Sequence, residues 1–212
     1  MTRKGILFVI SGPSGVGKGT IREAALRKIN GVQLSISATT RKPRTGEVDG
    51  RDYFFLDASS FKQLIDRDLL LEWAQVYNNF YGTPRQFVDQ NINQGKDVLL
   101  EIDIQGALQV KKKMPEGIFI FIAPPSLEEL ACRLITRGKD TAESIEVRLA
   151  ACKWEMEQIK HYDYRVLNQD LDTAVDTVSS IIIAERCKIK NLNMGCDMID
   201  SSFNQGFNGS GE

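Results

Sequence analysis

The chain has 212 residues, with 27 Lys or Arg against 28 Asp or Glu and a formal net charge of -1. That is long enough for a core with inserts, and it lacks the basic excess of a general nucleic-acid or membrane-surface protein. Four cysteines without a Cys-x-x-Cys pair, and one histidine, argue against a disulfide scaffold or a structural zinc site. No stretch is apolar for long enough to cross a bilayer. The basic start Met1–Lys4 leads into an apolar run too short for a secretion signal, so a soluble cytoplasmic protein with reduced thiols is expected.

Taken in order, Ile6–Ile10 has the pattern of a buried strand, and Ile21 through Leu26 that of a helix. Between them lies Gly12-Pro-Ser-Gly-Val-Gly-Lys-Gly-Thr20. A glycine-rich turn placed so points successive backbone N–H groups into one concavity, where phosphate oxygens sit at a helix N-terminus. Gly12, Pro13, Ser14, Gly15, Val16, Gly17, Lys18, Gly19 and Thr20 are therefore assigned to a phosphate site, with Lys18 reaching the distal phosphates as a mobile charge. Gly19 stands where Ser or Thr commonly follows the lysine. Thr20 comes one position later and is the candidate Mg²⁺ contact, directly or through water.

Leu34–Ala38 alternates apolar and small polar residues and reads as a second strand. Thr39–Tyr53 is too polar for core, and Arg41, Lys42, Arg44 and Arg51 crowd four cations into it. Like charges held together cost free energy unless an anion joins them, so the stretch is either a second anion site or a solvated basic loop. Phe54–Leu56 reads as a short strand, and Asp57–Ser60 as the cap of a helix Phe61–Ile65. Leu69–Val76 is apolar except for Glu72 and Gln75, and a carboxylate there is expensive unless paired or turned into a polar cleft. Tyr77–Thr83 reads as a polar aromatic turn ended by Pro84, before a helix Gln86–Gln94 closed by Gly95.

Asp97–Asp103 reads as a buried strand with carboxylates at its C-terminal end, where open α/β sheets place functional groups. Asp103 has the alternative role of capping the helix that follows. Ile118–Ala123 is a buried strand, and Ser126 with Glu129 forms a capping box for the next helix. Arg133 and Arg137 share one face of that helix, and Arg148 lies early in the helical pattern running through Leu149, Trp154 and Ile159. The three arginines either close over a phosphate chain or are ordinary exposed residues. Asp163–Leu167 is the final strand, Ala174–Lys188 the last helix, and 191–212 a segment without fixed structure. His161 needs no functional role, and Cys132 and Cys152 read as apolar fillers. The alternation of strand and helix argues for a mostly parallel sheet covered on both faces.

With the phosphate loop, four further segments carry a resemblance: Ser35-Ile-Ser-Ala-Thr-Thr-Arg-Lys-Pro-Arg-Thr-Gly-Glu-Val-Asp-Gly-Arg-Asp-Tyr53, Glu72-Trp-Ala74, Tyr81-Gly82 and Ile102-Asp-Ile-Gln-Gly106. From Gly5 to Ile183 the chain resembles the guanylate kinase family, which transfers the γ-phosphoryl group of ATP to GMP. The resemblance implies an α/β P-loop three-layer fold with a central parallel sheet, a mixed α+β insert for the nucleoside monophosphate, and a small helical lid. Residues 1–36, 89–128 and 150–190 would form the core, 37–88 the insert, 129–149 the lid and 191–212 the tail.

It also implies roles. Arg41, Arg44, Tyr53 and Tyr81 would hold the GMP phosphate, while Ser37, Glu72, Thr83 and Asp103 face guanine. Lys18 and the loop amides would hold ATP phosphates, Arg133, Arg137 and Arg148 would be lid and catalytic arginines, and Asn168 would lie near adenine. Lys18, Arg41, Arg137 and Arg148 are the implied catalytic set. Glu101 stands where many relatives have Asp, and with Thr20 it would serve Mg²⁺, directly or through water. The implied substrates are ATP with GMP and dGMP, without nucleic acid or membrane, in a monomer or homodimer. Two rivals are a nucleoside-triphosphate hydrolase with a macromolecular target and a non-enzymatic interaction module of the same fold. Retention of Gly12, Gly17 and Lys18 beside the lid arginines favours catalysis.

Overall fold

The computed structural model describes residues 3–76, 78–126, 128–130 and 152–191. Arg133, Arg137, Arg148 and Cys132, with nearly all of 129–149 and of 191–212, lie outside the described residues. The chain opens with β1 (Leu7–Ser11), α1 (Lys18–Lys28) and β2 (Val32–Leu34). It continues through β3 (Ala38–Thr39), β4 (Phe54–Phe55), α2 (Ala58–Asp66), β5 (Leu70–Val76), β6 (Asn79–Pro84) and α3 (Arg85–Asn93). Then follow β7 (Asp97–Glu101), α4 (Ile104–Lys113), β8 (Ile118–Ala123), β9 (Tyr164–Leu167) and α5 (Leu171–Arg186).

The main sheet has the order β2-β7-β1-β8-β9 and is parallel throughout. Parallel strands need helical crossovers on their faces, and the sequence supplies apolar residues for both sides. Successive β1 residues point to opposite faces. Phe8 and Ile10 pack with Ile21 and Ala25 of α1 and with Val175, Val178 and Ile182 of α5. Leu7 and Val9 pack with Val88 and Ile92 of α3 and Val110 of α4. Cys152 is buried in the first of these layers, as its reading as a filler requires.

A second sheet, β4-β3-β6-β5, is built from the intervening segment around Ala38, Phe61 and Leu70. Here two expectations from the sequence are corrected. Leu34–Ala38 is not one strand: β2 ends at Leu34 in the main sheet, and Ala38 begins β3 in the second. Ser35 and Ser37 are the link between the main core and the small core of the second sheet. Tyr77–Thr83 is not a turn either, because residues 79–84 form β6, antiparallel to both β3 and β5. Gly82 marks a close approach of backbones: a Cβ there would lie 2.8 Å from the Glu72 carbonyl oxygen and 3.0 Å from Trp73 Cβ. Smaller shifts affect helix starts. The Asp57 carboxylate accepts from the Ser60 amide at 2.7 Å, so α2 begins at Ala58, and Pro84 caps α3 at Arg85.

The two sheets are tied together by α4. Gln109 donates to the Trp73 carbonyl and accepts from the Trp73 amide, both at 3.2 Å, while Lys113 donates to the Leu70 carbonyl at 2.7 Å. At the opposite end of the main sheet, the fully buried Asp97 accepts from the Ile6 amide at 2.9 Å. Its other oxygen accepts from Arg3 and from Arg186, each at 2.7 Å. One carboxylate thus joins the start of β1, the start of β7 and the end of α5. Removing one member of such a network leaves the rest desolvated and unpaired. Asp97→Ala should therefore lower stability by about 3 kcal/mol in urea denaturation, and Asp97→Asn, which keeps the acceptor for Ile6, should cost less.

Candidate active site

The loop after β1 takes its shape from backbone positions that favour glycine. A Cβ on Gly12 would lie 2.2 Å from the Ile122 carbonyl oxygen of β8, and Gly15 and Gly17 have φ of 84° and 97°. Gly17 precedes α1, whose first turn has no side-chain cap, so its amides are left for an external acceptor. Lys18 folds back over the loop and donates to the carbonyls of Gly12 at 2.6 Å and Pro13 at 3.0 Å. Asn168, at the end of β9, donates its side-chain amide to the Val16 carbonyl at 2.7 Å. It lies beneath Gly17, where a Cβ would come within 2.6 Å of that nitrogen.

Ser14, Gly15, Gly17, Lys18, Gly19, Thr20 and Glu101 line a cavity of about 300 Å³ beside this loop. A neighbouring cavity of about 360 Å³ shares Gly19 and Glu101 with it and continues to Ser37, Asp52 and Tyr53. The phosphate loop and the second sheet therefore border one continuous concave region. A larger concavity of about 530 Å³, around Gly5, Ile92 and Met114, shares no residue with the loop.

On the insert side, Arg41, Tyr53 and Tyr81 converge. The Arg41 guanidinium carbon is 5.4 Å from the Tyr53 ring centre, and the two tyrosine rings meet edge to face at 6.2 Å. Arg41 pairs with Glu47 at 2.8 Å, and the other Glu47 oxygen accepts from the Arg44 amide at 2.7 Å. That pairing holds the Glu47 carboxyl below the usual range. The Arg44 side chain is exposed, and Arg51 turns away to Asp52. Of the four loop cations, Arg41 is the one packed over aromatic rings, those of Tyr53 and Phe55.

Glu72 lies where β5 carries an extra residue against β6, between the pairs Leu70–Pro84 and Trp73–Gly82. Such a bulge re-aims a side chain. Here it turns the carboxylate inward, where it is 7% exposed and accepts from the Thr83 hydroxyl at 2.6 Å. The start of α4 stands opposite. A Cβ on Gly106 would lie 3.1 Å from Glu72 Oε2 and 3.4 Å from Asp103 Oδ1, so glycine keeps the space between the two carboxylates open. Burial pushes the Glu72 carboxyl up to about 7, with the Asp103 carboxylate adding to the rise and the Thr83 hydroxyl opposing it. Asp103 also takes the capping role, accepting from the Gly106 amide at 2.7 Å.

Two further residues reach the site unremarked in the sequence. Arg22, one turn into α1, pairs with Glu101 at 3.1 Å. Glu155 meets the Ser14 amide near Lys18 and Asp103, and burial raises its carboxyl above the usual range. Both sit in helical stretches whose local pattern carries no signal of a site. The oxygen donors Thr20 and Glu101 line the cavity of the loop, a hard donor set that suits Mg²⁺. Among the described residues no group of three or more His, Cys, Asp or Glu could hold a metal.

The sequence model of the guanylate kinase family matches residues 4–185. A guanylate kinase of Syntrophomonas wolfei subsp. wolfei is 64% identical over 194 residues, covering 92% of this chain and 100% of the relative. One of Caldanaerobacter subterraneus subsp. tengcongensis is 54% identical over 187 residues, covering 88% and 91%. The crystal structure of guanylate kinase from Anaplasma phagocytophilum superposes with a TM-score of 0.72 at 33% identity, over 95% of this chain and 97% of that one. The family match over most of the chain, together with these relatives, establishes that the chain belongs to the guanylate kinase family.

Proposed function

We propose that the loop around Lys18 binds the phosphates of ATP and that the pocket from Arg41 to Glu72 binds GMP, as the two halves of one phosphotransfer site. The chain is an ATP:GMP phosphotransferase, converting ATP and GMP to ADP and GDP. The observation that carries the division of the site is Glu72, buried on the second sheet and facing Asp103 and Gly106 at the edge of the main one. An ionised carboxylate there accepts from the N1 and N2 hydrogens of guanine, and adenine offers no matching donor pair. The Thr83 hydroxyl, which now donates to Glu72, would donate to O6 once released, and Ser37, which lines the cavity reaching Tyr53, would face guanine beside it.

The acceptor is a phosphate oxygen, anionic near neutral pH, so the reaction needs alignment and charge neutralisation rather than a strong base. Lys18 would exchange the carbonyls of Gly12 and Pro13 for ATP phosphate oxygens. Arg41, with Tyr53 and Tyr81, would hold the GMP phosphate, shared with or released from Glu47, while Arg44 adds charge from the rim. Arg133, Arg137 and Arg148 complete the donor side in this reading, and Asn168 borders the adenine end while supporting the loop. The family uses Mg²⁺ with ATP; Thr20 and Glu101 would hold it, and the ion supplies charge neutralisation at the phosphates. Residues 37–88 act as the GMP unit and 129–149 as the lid, closing to exclude water. We assign the enzyme to the cytoplasm as a monomer or homodimer, with dGMP as a second acceptor. Among the described residues no helix is long and apolar enough to cross a membrane.

A coupled assay of ADP release with ATP and GMP, dGMP, AMP or UMP tests this reading, with turnover expected for the guanine nucleotides. Lys18→Ala should lower kcat by about 100-fold or more while circular dichroism stays unchanged; near-normal turnover would reject its role. Glu72→Gln should raise KM for GMP and spare ATP binding measured by calorimetry. The wild-type KM for GMP should rise as pH falls below about 7, where Glu72 takes up a proton.

The same carboxyl links pH to folding. Its folded value lies above the ordinary 4.5, so its ionisation opposes folding. This penalty is absent below pH 4.5, grows up to about pH 7 and is constant above. In the nucleotide-free protein, Glu72→Gln should therefore be stabilising at pH 8, by up to about 3 kcal/mol, and nearly neutral at pH 4.5. A pH-independent effect in paired denaturation curves would contradict the burial argument.

A further inference from the structure

Gly19, directly after the loop lysine, and Glu101, at the end of β7, meet in space. Glu101 pairs with Ile10 in register at the end of β7, two residues after Leu99, and so projects from the α1 face of the sheet. A Cβ built on Gly19 would lie 3.5 Å from Glu101 Oε1 and 3.8 Å from Oε2. The carboxylate therefore already fills the neighbourhood a serine hydroxyl would enter. Arg22 stands three residues beyond Gly19, on the same side of α1. It holds Glu101 Oε2 at 3.1 Å through one nitrogen and Glu23 at 3.1 Å through another. Its Nε is buried with no hydrogen-bond partner among the described residues, so the guanidinium keeps an unspent donor at this junction. Glu101 also lines both cavities, the one beside Lys18 and the one reaching Tyr53.

We propose that Gly19, Arg22 and Glu101 form one matched unit, in which Arg22 positions Glu101 to supply the metal-facing oxygen that the residue after Lys18 lacks. The side-chain lengths explain the match. A glutamate clamped through Oε2 by Arg22 still presents Oε1 beside Gly19, where the loop cavity opens. An aspartate, one methylene shorter, can satisfy either the arginine or the cavity but not both. A serine at position 19 would restore a hydroxyl, yet that hydroxyl would lie beside Glu101 Oε1 and donate to it, drawing the oxygen away from the cavity. Each substitution alone should then be harmful, and the pair should compensate. A simple tie between α1 and β7 makes no such demand, because neither its strength nor its loss would depend on a divalent cation.

The inference rests on the reading of the loop as an ATP site, and calorimetry separates the two. ADP is titrated into wild type, Glu101→Asp, Gly19→Ser and the double variant, once with Mg²⁺ and once with EDTA. Glu101→Asp should weaken binding in Mg²⁺ by about tenfold, the scale of a disturbed metal contact, and leave binding in EDTA unchanged. Gly19→Ser should do likewise, and the double variant should regain most of the loss. Arg22→Gln, which leaves both loop and acid in place, should reproduce the Mg²⁺-specific loss without the change in EDTA. Equal losses with and without Mg²⁺, or losses that simply add in the double variant, would overturn the matched unit while leaving the ATP site standing. Failure of wild type to bind ADP under either condition would overturn both.

Discussion

A buried strand with a parallel neighbour on each side forces several chain segments to end at one edge. β1 lies between β7 and β8, with β9 beyond, and all four run the same way. The loop after β1, the acids after β7 and the amide after β9 are therefore brought together by backbone pairing, before any side chain interacts. The close pass of Gly12 against the Ile122 carbonyl follows from that pairing. So does Asn168, which hangs from the Ala123 carbonyl and supports Val16 from below. The depth of the apolar layers on both faces makes the edge rigid. A rigid edge is what phosphate binding by backbone amides needs, since the donors must be in place beforehand.

Around that edge the charged groups are held by local partners of modest reach. Lys18 rests on two carbonyls, Arg41 on Glu47, Arg22 on Glu101, and Glu72 on the Thr83 hydroxyl. Each contact orients its group, and in the proposed reading those of Lys18, Arg41 and Glu72 would be exchanged for, or shared with, a ligand oxygen or donor. Glu72 differs from the rest because its burial is deep and its partner neutral, so its charge is costly until a donor pair arrives. The contrast separates two tasks. In the proposed reading the half-buried pairs would place charge for phosphates, whereas the buried acid would discriminate between bases.

Much of this was legible in the residues. The runs of β1 and β8, the glycine loop, and the caps Asp57 and Ser126 are local patterns with local causes. Glu72 was conspicuous because a carboxylate in an apolar run demands an explanation. What escaped depends on long-range geometry. β6 was hidden because Asn79, Tyr81 and Gly82 carry turn-like composition, while the reason for Gly82 is a neighbouring backbone. The alternation over Leu34–Ala38 spans two sheets and so mimics one strand. Arg22 and Glu155 look like solvent-facing helix residues until the sheet order brings Glu101 and the loop beside them. Asp103 reads two ways in the sequence, and the fold gives it the cap of α4 while also setting its carboxylate across Gly106 from Glu72.

The grip of Gln109 on Trp73 has an effect beyond joining two units. β5 is the outer strand of the small sheet, and an outer strand offers unpaired amides and carbonyls to any passing chain. A carboxamide that donates and accepts at one residue imitates the next strand's peptide, and Lys113 occupies the Leu70 carbonyl farther along. The border is thus sealed by side chains from a helix, and the protein gains protection against edge-to-edge aggregation without adding another strand.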